Sequence, residues 1–382
     1  MLTKTKERPL TVLSPTRYPW TFNSPRHSRN RIVRRSFLPL NKVAPKLEGM
    51  TLYAALPWEK FDLIHAFNRI PVDFRPFVIG FESHLPRAFN LEQTTYYRLL
   101  RRRLASRRCK RIVAISERAK ETFLHFHSGS DEFDELASKL EVRYPNVVLP
   151  NLTGKEVLQR SEGPLKITFV GNHFGRKGGC VAVRLAHIAQ ERGFPLEVTI
   201  VSKLEAGTPS WTDPLRTGFF ERYFKLFELP NVTLHRGLAN DDVQALLGSS
   251  DFSLLTTFSD TFGYSAIESL AAGTPVIATR QGALPEFLSH LDNAILFDLE
   301  LDEFGDWVHS SSDQRGTSSF ERLFEDEVER LASETYASLE SLINDRPKLS
   351  MMRKSAVQTA AKYFDSVSAT RYWDNLYDQS TS

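Results

Sequence analysis

The stretch Asp260-Thr261-Phe262-Gly263-Tyr264-Ser265-Ala266-Ile267-Glu268, followed by Ala271-Ala272-Gly273-Thr274-Pro275-Val276-Ile277, decides how the rest of the chain is read. An apolar, strand-like run, Phe252 to Thr256, ends just before it. Asp260 therefore falls on a loop at the carboxyl end of a strand, and a helix is expected from Tyr264 to Ala272. Glu268 stands eight residues after Asp260, about two turns into that helix, where it can face the same loop. Gly263 places a bare backbone N–H at the helix start, suited to a phosphate or sugar oxygen. Two acceptor-only carboxylates beside such a site fit the recognition of paired hydroxyls. Read alone, the same residues also fit an N-capping Asp and a solvent-facing Glu.

Working outward, strands and helices alternate. Strands are expected at Lys166–Val170, Glu197–Val201, Val232–His235, Pro275–Ala278 and Ala294–Phe297, with helices at Cys180–Arg192 and Asp241–Gly248. Short β-branched runs between helices predict a parallel, doubly wound α/β sheet, with ligands outside the carboxyl ends of its strands. On that edge lies Phe169-Val170-Gly171-Asn172-His173-Phe174-Gly175-Arg176-Lys177-Gly178-Gly179, a glycine-rich turn between strand and helix. Its glycines allow a close backbone approach, the helix offers free N–H groups to an anion, and Lys177 adds a cation. The pattern is neither G-x-G-x-x-G nor Walker A, and in isolation an ordinary tight turn fits it as well. A third segment, Gln281-Gly282-Ala283-Leu284-Pro285-Glu286, is a turn on the same edge.

The N-terminal half shows strand-like runs at Leu10–Ser14, Ser36–Leu40, Leu63–Ala66, Phe77–Phe81 and Ile112–Ile115. A basic helix is expected over Leu91–Arg107 and another after an N-capping Ser116. Ser14–Arg35 is rich in Pro and Arg without a clear period. Ser310–Ser319 reads as a mobile loop, and helices close the chain from about Phe320 to Tyr377. The expected division is a Rossmann-like domain over 1–150, a linker over 151–164, a second Rossmann-like domain over 165–345, and helices over 346–382 that brace the first.

The bulk numbers suit this plan. The 382 residues exceed one ordinary core and accommodate two α/β domains. Hydrophobic residues make up 41% and charged residues 25%, as in globular proteins. No apolar run approaches the roughly 18–20 residues of a membrane span, and no apolar stretch follows the basic start as in a signal peptide. A cytoplasmic location is expected. Cys109 and Cys180 are the only cysteines, which excludes a disulfide scaffold and a cysteine zinc site. The net charge of +3 is unevenly spread: the first 47 residues hold eleven Lys or Arg and one acid, Glu7. An anionic partner or solvated faces both fit this asymmetry.

Together the three segments resemble the retaining GT-B glycosyltransferases of family 4 (group 1). The likeness is most specific at Asp260–Ile277, where the family has a glutamate, seven residues and a second glutamate, then small residues, Gly, Pro and a strand. Phe169–Gly179 resembles its diphosphate-binding strand–loop and Gly282–Glu286 its Gly-Pro-Glu turn. Val232–Gly237 and Val243–Leu255 look like the stretch before the paired acids. Over the N-terminal half the likeness is weaker, carried by Phe61–His65, Ile112–Ser116 and Tyr144–Val147.

The resemblance implies two Rossmann-like domains facing a cleft, and transfer of a hexose-type sugar from a nucleotide-diphosphate sugar to a saccharide or lipid-linked saccharide, with no cofactor and no metal. Glu268 would hold the donor ribose. Asp260 and the backbone of Phe262, Gly263 and Tyr264 would contact the donor sugar. Lys177 would neutralise the diphosphate in a loop with Gly171, Asn172 and Arg176, and His84 would hydrogen-bond the donor sugar. Two departures stand out: Asn172 replaces the family's Arg, with Arg176 nearby as a substitute, and Asp260 is one methylene shorter than Glu. The basic segment Thr94–Arg111, with Tyr96, Tyr97, Leu99, Leu100 and Leu104 among arginines, fits either a peripheral contact with anionic lipid or a helix packed into the core. A nucleotide-sugar epimerase, a glycoside phosphorylase and a non-catalytic carbohydrate- or nucleotide-binding relative remain alternatives, and no nucleic-acid motif is present.

Overall fold

The structure is a computed structural model that describes residues 8–16, 18–38, 40, 44, 47–53, 59–151 and 163–381. The chain divides into two units, Met1–Val148 with Phe364–Ser382, and Leu149–Tyr363. Apart from its ends, the expected linker 151–164 lies outside the described residues.

In the second unit six parallel strands form a sheet in the order Val232–His235, Leu196–Val201, Leu165–Val170, Phe252–Leu255, Val276–Thr279, Ala294–Phe297. Numbered along the chain from Leu165, this is the doubly wound order 3-2-1-4-5-6. The last three strands are buried throughout, which explains their unbroken apolar reading. The helix Gly179–Glu191 buries Cys180, Val181, Val183, Leu185 and Ala186 in the same core as Phe324, Val328, Leu331 and Leu339 of the long helix Ser318–Leu342.

The first unit holds a second six-stranded parallel sheet, ordered Arg31–Arg35, Thr11–Pro15, Leu63–Phe67, Phe77–Phe81, Cys109–Ala114, Leu140–Val142. One core contains Tyr97, Leu100 and Leu104 of the helix Thr95–Ala105 with Phe123 of the helix Glu117–His127. Another is made by the last helix, Ser366–Thr381, whose Ala369, Trp373, Leu376 and Tyr377 pack on Val12, Leu63, Val78 and Val113. The expected aromatic face of that helix is real. It also encloses His65, whose Nδ1 lies 2.7 Å from the Tyr377 hydroxyl and whose ring sits 4.3 Å from Trp373. The expected cap is made, Ser116 Oγ accepting from Ala119 N–H at 2.9 Å, while the basic helix expected from Leu91 starts at Thr95, where Thr94 Oγ1 accepts from Tyr97 N–H at 3.2 Å.

Four expectations change. The boundary falls at 363/364 rather than 345/346, because the helix Arg346–Tyr363 buries Leu349, Met352, Ala356 and Ala360 in the second unit. Its Arg353 also donates to Ser250 O at 2.8 Å. Only the last helix returns to the first unit. Ser310–Ser319 is tied down: Asp313–Gly316 forms a 3-10 turn, and Arg315 donates to the carbonyls of Asp213 (2.9 Å) and Ser210. Arg31–Arg35, in the stretch without a period, is a strand at the sheet's edge, where half-exposed side chains blur the pattern. Within Ser36–Leu40 a strand covers only Phe37–Leu38, paired with Met50–Tyr53, and Pro39 lies outside the described residues.

Among the described residues no helix is long and apolar enough to cross a membrane.

Trp373→Ala is expected to destabilise the first unit by ~3–5 kcal/mol, the usual cost of emptying an aromatic core position. Urea unfolding of the full chain measures it; an unchanged midpoint would mean that the last helix does not hold this sheet together.

Candidate functional site

The strands Leu165–Val170 and Phe252–Leu255 are neighbours, but the chain leaves them toward opposite edges of the sheet. Loops diverge at such a switch point and leave a crevice at the carboxyl ends. Three loops meet there. Arg176 O accepts from Phe258 N–H at 2.8 Å and from Thr257 Oγ1 at 3.0 Å, which joins the first loop to the second. Thr279 Oγ1 donates to Thr257 O at 2.6 Å, and Gln281 Oε1 accepts from Asp260 N–H at 2.7 Å, which joins the third.

Two glycines make the approach possible. Gly178 (φ +91°) precedes the helix Gly179–Glu191, and a Cβ there would lie 2.5 Å from Thr256 O. Gly282 (φ +57°) passes so near the second loop that a Cβ would lie 2.0 Å from Asp260 O. The helix Tyr264–Ala271 also starts after a left-handed glycine, Gly263. Neither helix has a side-chain cap; backbone closes the two starts in part, with Gly179 N–H donating to Phe174 O at 2.8 Å and Ala266 N–H to Gly263 O at 2.9 Å.

The charges are concentrated. Lys177 Nζ is paired with Asp260 Oδ2, and Asp260 is buried. Burial alone would raise the Asp260 pKa, but Lys177 and Arg176 outweigh it and hold the carboxyl below its usual range. Arg176 is itself buried; it donates to Ser259 O at 2.6 Å and lies 4.7 Å from the centre of the Trp211 ring. Desolvation lowers its pKa, against the pull of Asp260 and Asp213. Asp213 is buried and shifted upward by desolvation, although it accepts from Gly207 N–H at 3.0 Å and Thr212 Oγ1 at 3.1 Å. Arg176 Nε and Thr256 Oγ1 are buried without a hydrogen-bond partner among the described residues. Such atoms in a crevice suit a polar ligand.

The site residues singled out from sequence are distributed as follows. Asp260, Lys177 and Arg176 come together in one charge cluster. Gly171 and Asn172 belong to the same loop, where the Asn172 side chain is exposed and its carbonyl accepts from Glu205 N–H at 2.9 Å. The Phe262 ring is core, stacked on Phe287 at 5.3 Å, and its N–H points to Asp260 Oδ1 at 3.4 Å. Tyr264 is half-buried, and Glu268 is buried in the helix Tyr264–Ala271. His84 belongs to the first unit. Its buried ring stacks on Phe89 at 5.2 Å, and Nε2 lies 3.4 Å from the Tyr97 hydroxyl. Burial pushes its pKa down to about 4, and His127 and Arg87 push the same way against Glu92. Trp211, Asp213 and Gln281 were missed as site residues. Gln281 stood in a quoted turn with no role assigned, and nothing in the spacing of Lys203–Gly218 marks Trp211 or Asp213. Among the described residues no three His, Cys, Asp or Glu side chains gather as a metal site.

Residues 164–309 match the family model described as "Glycosyl transferases group 1". The chain carries a group 1 glycosyltransferase segment. A curated relative, the D-inositol 3-phosphate glycosyltransferase of Paenarthrobacter aurescens, is 28% identical over 185 residues, 47% of this chain and 43% of that protein. The N-acetyl-alpha-D-glucosaminyl L-malate synthase of Bacillus anthracis is 41% identical over 56 residues, 15% of each chain. The chain thus matches less than half the length of these relatives.

Two solved structures resemble nearly the whole chain. The glycosyltransferase from Rickettsia africae has a TM-score of 0.61 at 15% identity, covering 98% of this chain and 99% of that one. Anabaena HepE in complex with UDP-glucose has a TM-score of 0.59 at 13% identity, covering 97% and 99%. The fold is that of the GT-B glycosyltransferases: α/β, with two parallel six-stranded sheets. The glycosyltransferase segment contains the whole charge cluster.

Gly282→Ala is expected to lose about 2 kcal/mol or more, because a Cβ at this φ collides with the Asp260 carbonyl. Thermal unfolding checks it, and a neutral result would show that the third loop does not pack as described. The buried, neutral His84 sets a pH dependence. Its folded pKa lies below the ordinary 6.5, so the unfolded chain takes up the proton first as pH falls. Stability should therefore decline from about pH 6.5 toward pH 4, by on the order of 3 kcal/mol from this group. His84→Phe should flatten that stretch of the stability–pH curve, and a curve identical to wild type would contradict the burial.

Proposed function

We propose that this chain is a retaining glycosyltransferase that moves a hexose-type sugar from a nucleotide-diphosphate sugar to a hydroxyl of a saccharide or lipid-linked saccharide. One observation carries the reading: a buried Asp260 paired with Lys177, beside Arg176, where two helix N-termini without side-chain caps meet the sheet's switch point. That arrangement offers cations and N–H groups to a diphosphate and a carboxylate to sugar hydroxyls. Anabaena HepE is in complex with UDP, UDP-glucose, or UDP and glucose in its solved structures, which favours a uridine donor.

In this reading Lys177 leaves Asp260 for the diphosphate, and Arg176 supplies the positive field that Asn172 does not. As the acceptor oxygen bonds to the anomeric carbon, the bond from that carbon to the diphosphate oxygen breaks. The leaving diphosphate takes the electron pair and then the acceptor's proton. Charge building on the leaving oxygen is met by Lys177 and the positive N-terminal end of the helix Gly179–Glu191. Asp260 is freed to accept from a donor-sugar hydroxyl, and Glu268 holds the ribose. Fixed cations take the role that a divalent metal has elsewhere, so no metal is required. The reaction is assigned to the cytoplasmic side, with glycan or polysaccharide as the product class.

A panel of UDP-, GDP- and ADP-sugars, with and without lipid extract and EDTA, tests this by nucleoside diphosphate release. Release from one donor, insensitive to EDTA and abolished in Glu268→Ala, is expected. Lys177→Met should lower kcat/KM by roughly 10²–10³, the usual cost of removing one transition-state charge contact. Circular dichroism confirms folding, since that change leaves Asp260 buried without its partner. Retention is read from the anomeric coupling of the product. A folded protein that binds no nucleotide sugar would instead be a non-catalytic relative, and turnover without an acceptor would indicate an epimerase.

A further inference from the structure

The apolar side of the basic helix does not face outward. Tyr97, Leu100 and Leu104 are core, Tyr96 donates its hydroxyl to Glu48 O at 2.8 Å, and only Leu99 stays exposed, so of the two readings left open by the sequence the helix takes the one packed into the core. The exposed apolar surface lies elsewhere, in the turn Pro71–Arg75 ahead of the strand Phe77–Phe81. Phe74 is 87% exposed, the most open large apolar side chain among the described residues, and Val72 beside it is 45% exposed. The turn is held in place: Val72 N–H donates to Thr51 O at 2.9 Å, Arg75 N–H to Asp73 Oδ1 at 2.8 Å, and Arg103 to the carbonyl of Asp73.

Cations surround this tip. The Arg108 guanidinium lies 5.4 Å from the centre of the Phe74 ring, and the Arg103 guanidinium 5.1 Å from that of Phe77. Desolvation lowers the Arg103 pKa and repulsion from Arg108 lowers it further, so two guanidiniums stand close together here. Nearby acids are committed elsewhere: Asp73 to Arg75 at 3.1 Å, Glu132 to Arg101 at 2.7 Å, Glu135 to Lys139 at 2.8 Å. Arg108 makes no ion pair among the described residues, whereas Arg107 lies near enough to Glu135 to help hold that carboxyl below its usual range. Leu99, exposed by 58%, sits one helical turn before Arg103. The first unit as a whole has 28 Lys and Arg against 17 Asp and Glu, whereas the second has 21 against 29.

We propose that the Val72–Phe74 turn, with Arg103 and Arg108 beside it, docks the chain on a fluid bilayer containing anionic lipid. An aromatic tip enters the headgroup boundary while guanidiniums at its base pair with lipid phosphates. A second copy of this chain fits less well, because a symmetric contact would bring two basic patches together. This deepens the reading of a lipid-linked acceptor, since docking would place the enzyme where such acceptors lie.

The test is co-sedimentation of the full chain with vesicles of phosphatidylcholine alone, and of phosphatidylcholine mixed with phosphatidylglycerol, without nucleotide sugar. Binding to the mixed vesicles should be at least roughly tenfold tighter and should weaken with salt. Phe74→Ser should reduce it by on the order of tenfold. Arg108→Gln should cost roughly fivefold. Phe74→Trp should retain binding and show a blue-shifted emission on mixed vesicles. Equal binding to both vesicle types, or Phe74→Ser binding like wild type, overturns the proposal. So does a dimer in light scattering that Phe74→Ser dissolves, or an oligonucleotide that outcompetes the vesicles. Vesicle binding without donor turnover would sink the transferase reading and leave this one standing.

Discussion

A buried carboxylate cannot stand alone, and much of the second unit is arranged around that constraint. Asp260 is buried at the mouth of a parallel sheet, where an uncompensated charge would cost several kcal/mol. Lys177 and Arg176 compensate it from the neighbouring strand's loop, and Gln281 and Phe262 occupy its backbone and side chain with hydrogen bonds. Each partner needs its own loop to come close. The glycines at 178 and 282 allow that approach, and Thr257 and Thr279 fasten the loops once they meet.

The departures from the family pattern have a structural reading. Loss of an Arg at 172 leaves an exposed Asn, while a guanidinium enters from position 176 and is held from behind by Trp211 and the Ser259 carbonyl. Trp211 also donates to Ser259 Oγ at 3.1 Å, which binds the Lys203–Gly218 stretch to the loop that carries Asp260. Asp213 beneath Arg176 is reached because Gly175 has no side chain, since a Cβ there would lie 2.5 Å from its carboxylate. The shorter Asp260 sits deep and meets Lys177 directly.

Electrostatically the two units differ in sign, a contrast hidden by the small net charge of the whole chain. The acidic unit contains Lys177, Arg176, Asp260 and Asp213 of the candidate site as a local cluster of two cations and two carboxyl groups. In the basic unit the surplus is spread over edge-strand and helix-end arginines, many of them stacked on aromatic rings: Arg34 on Trp20, Arg75 on Phe61, Arg103 on Phe77, Arg108 on Phe74. Stacking keeps guanidiniums extended over the surface without an acid for each.

Periodicity and glycine placement by themselves determined the second sheet, its strand–helix alternation and the loops at its carboxyl edge, because buried parallel strands read as unbroken β-branched runs. The candidate residues Lys177, Asp260 and Glu268 were legible for the same reason: they sit at fixed distances from strand ends. Tertiary structure alone decided the rest. The strand Arg31–Arg35 lies at a sheet edge, where half-exposed arginines erase the pattern. The division between units fell after Tyr363, since two successive amphipathic helices look alike until their partners are known. Trp211, Asp213 and Gln281 entered the site through contacts with residues tens of positions away. Phe74 became a surface feature only because its neighbours Pro71 and Phe77 are buried and it is not, and one-dimensional spacing has no record of that difference.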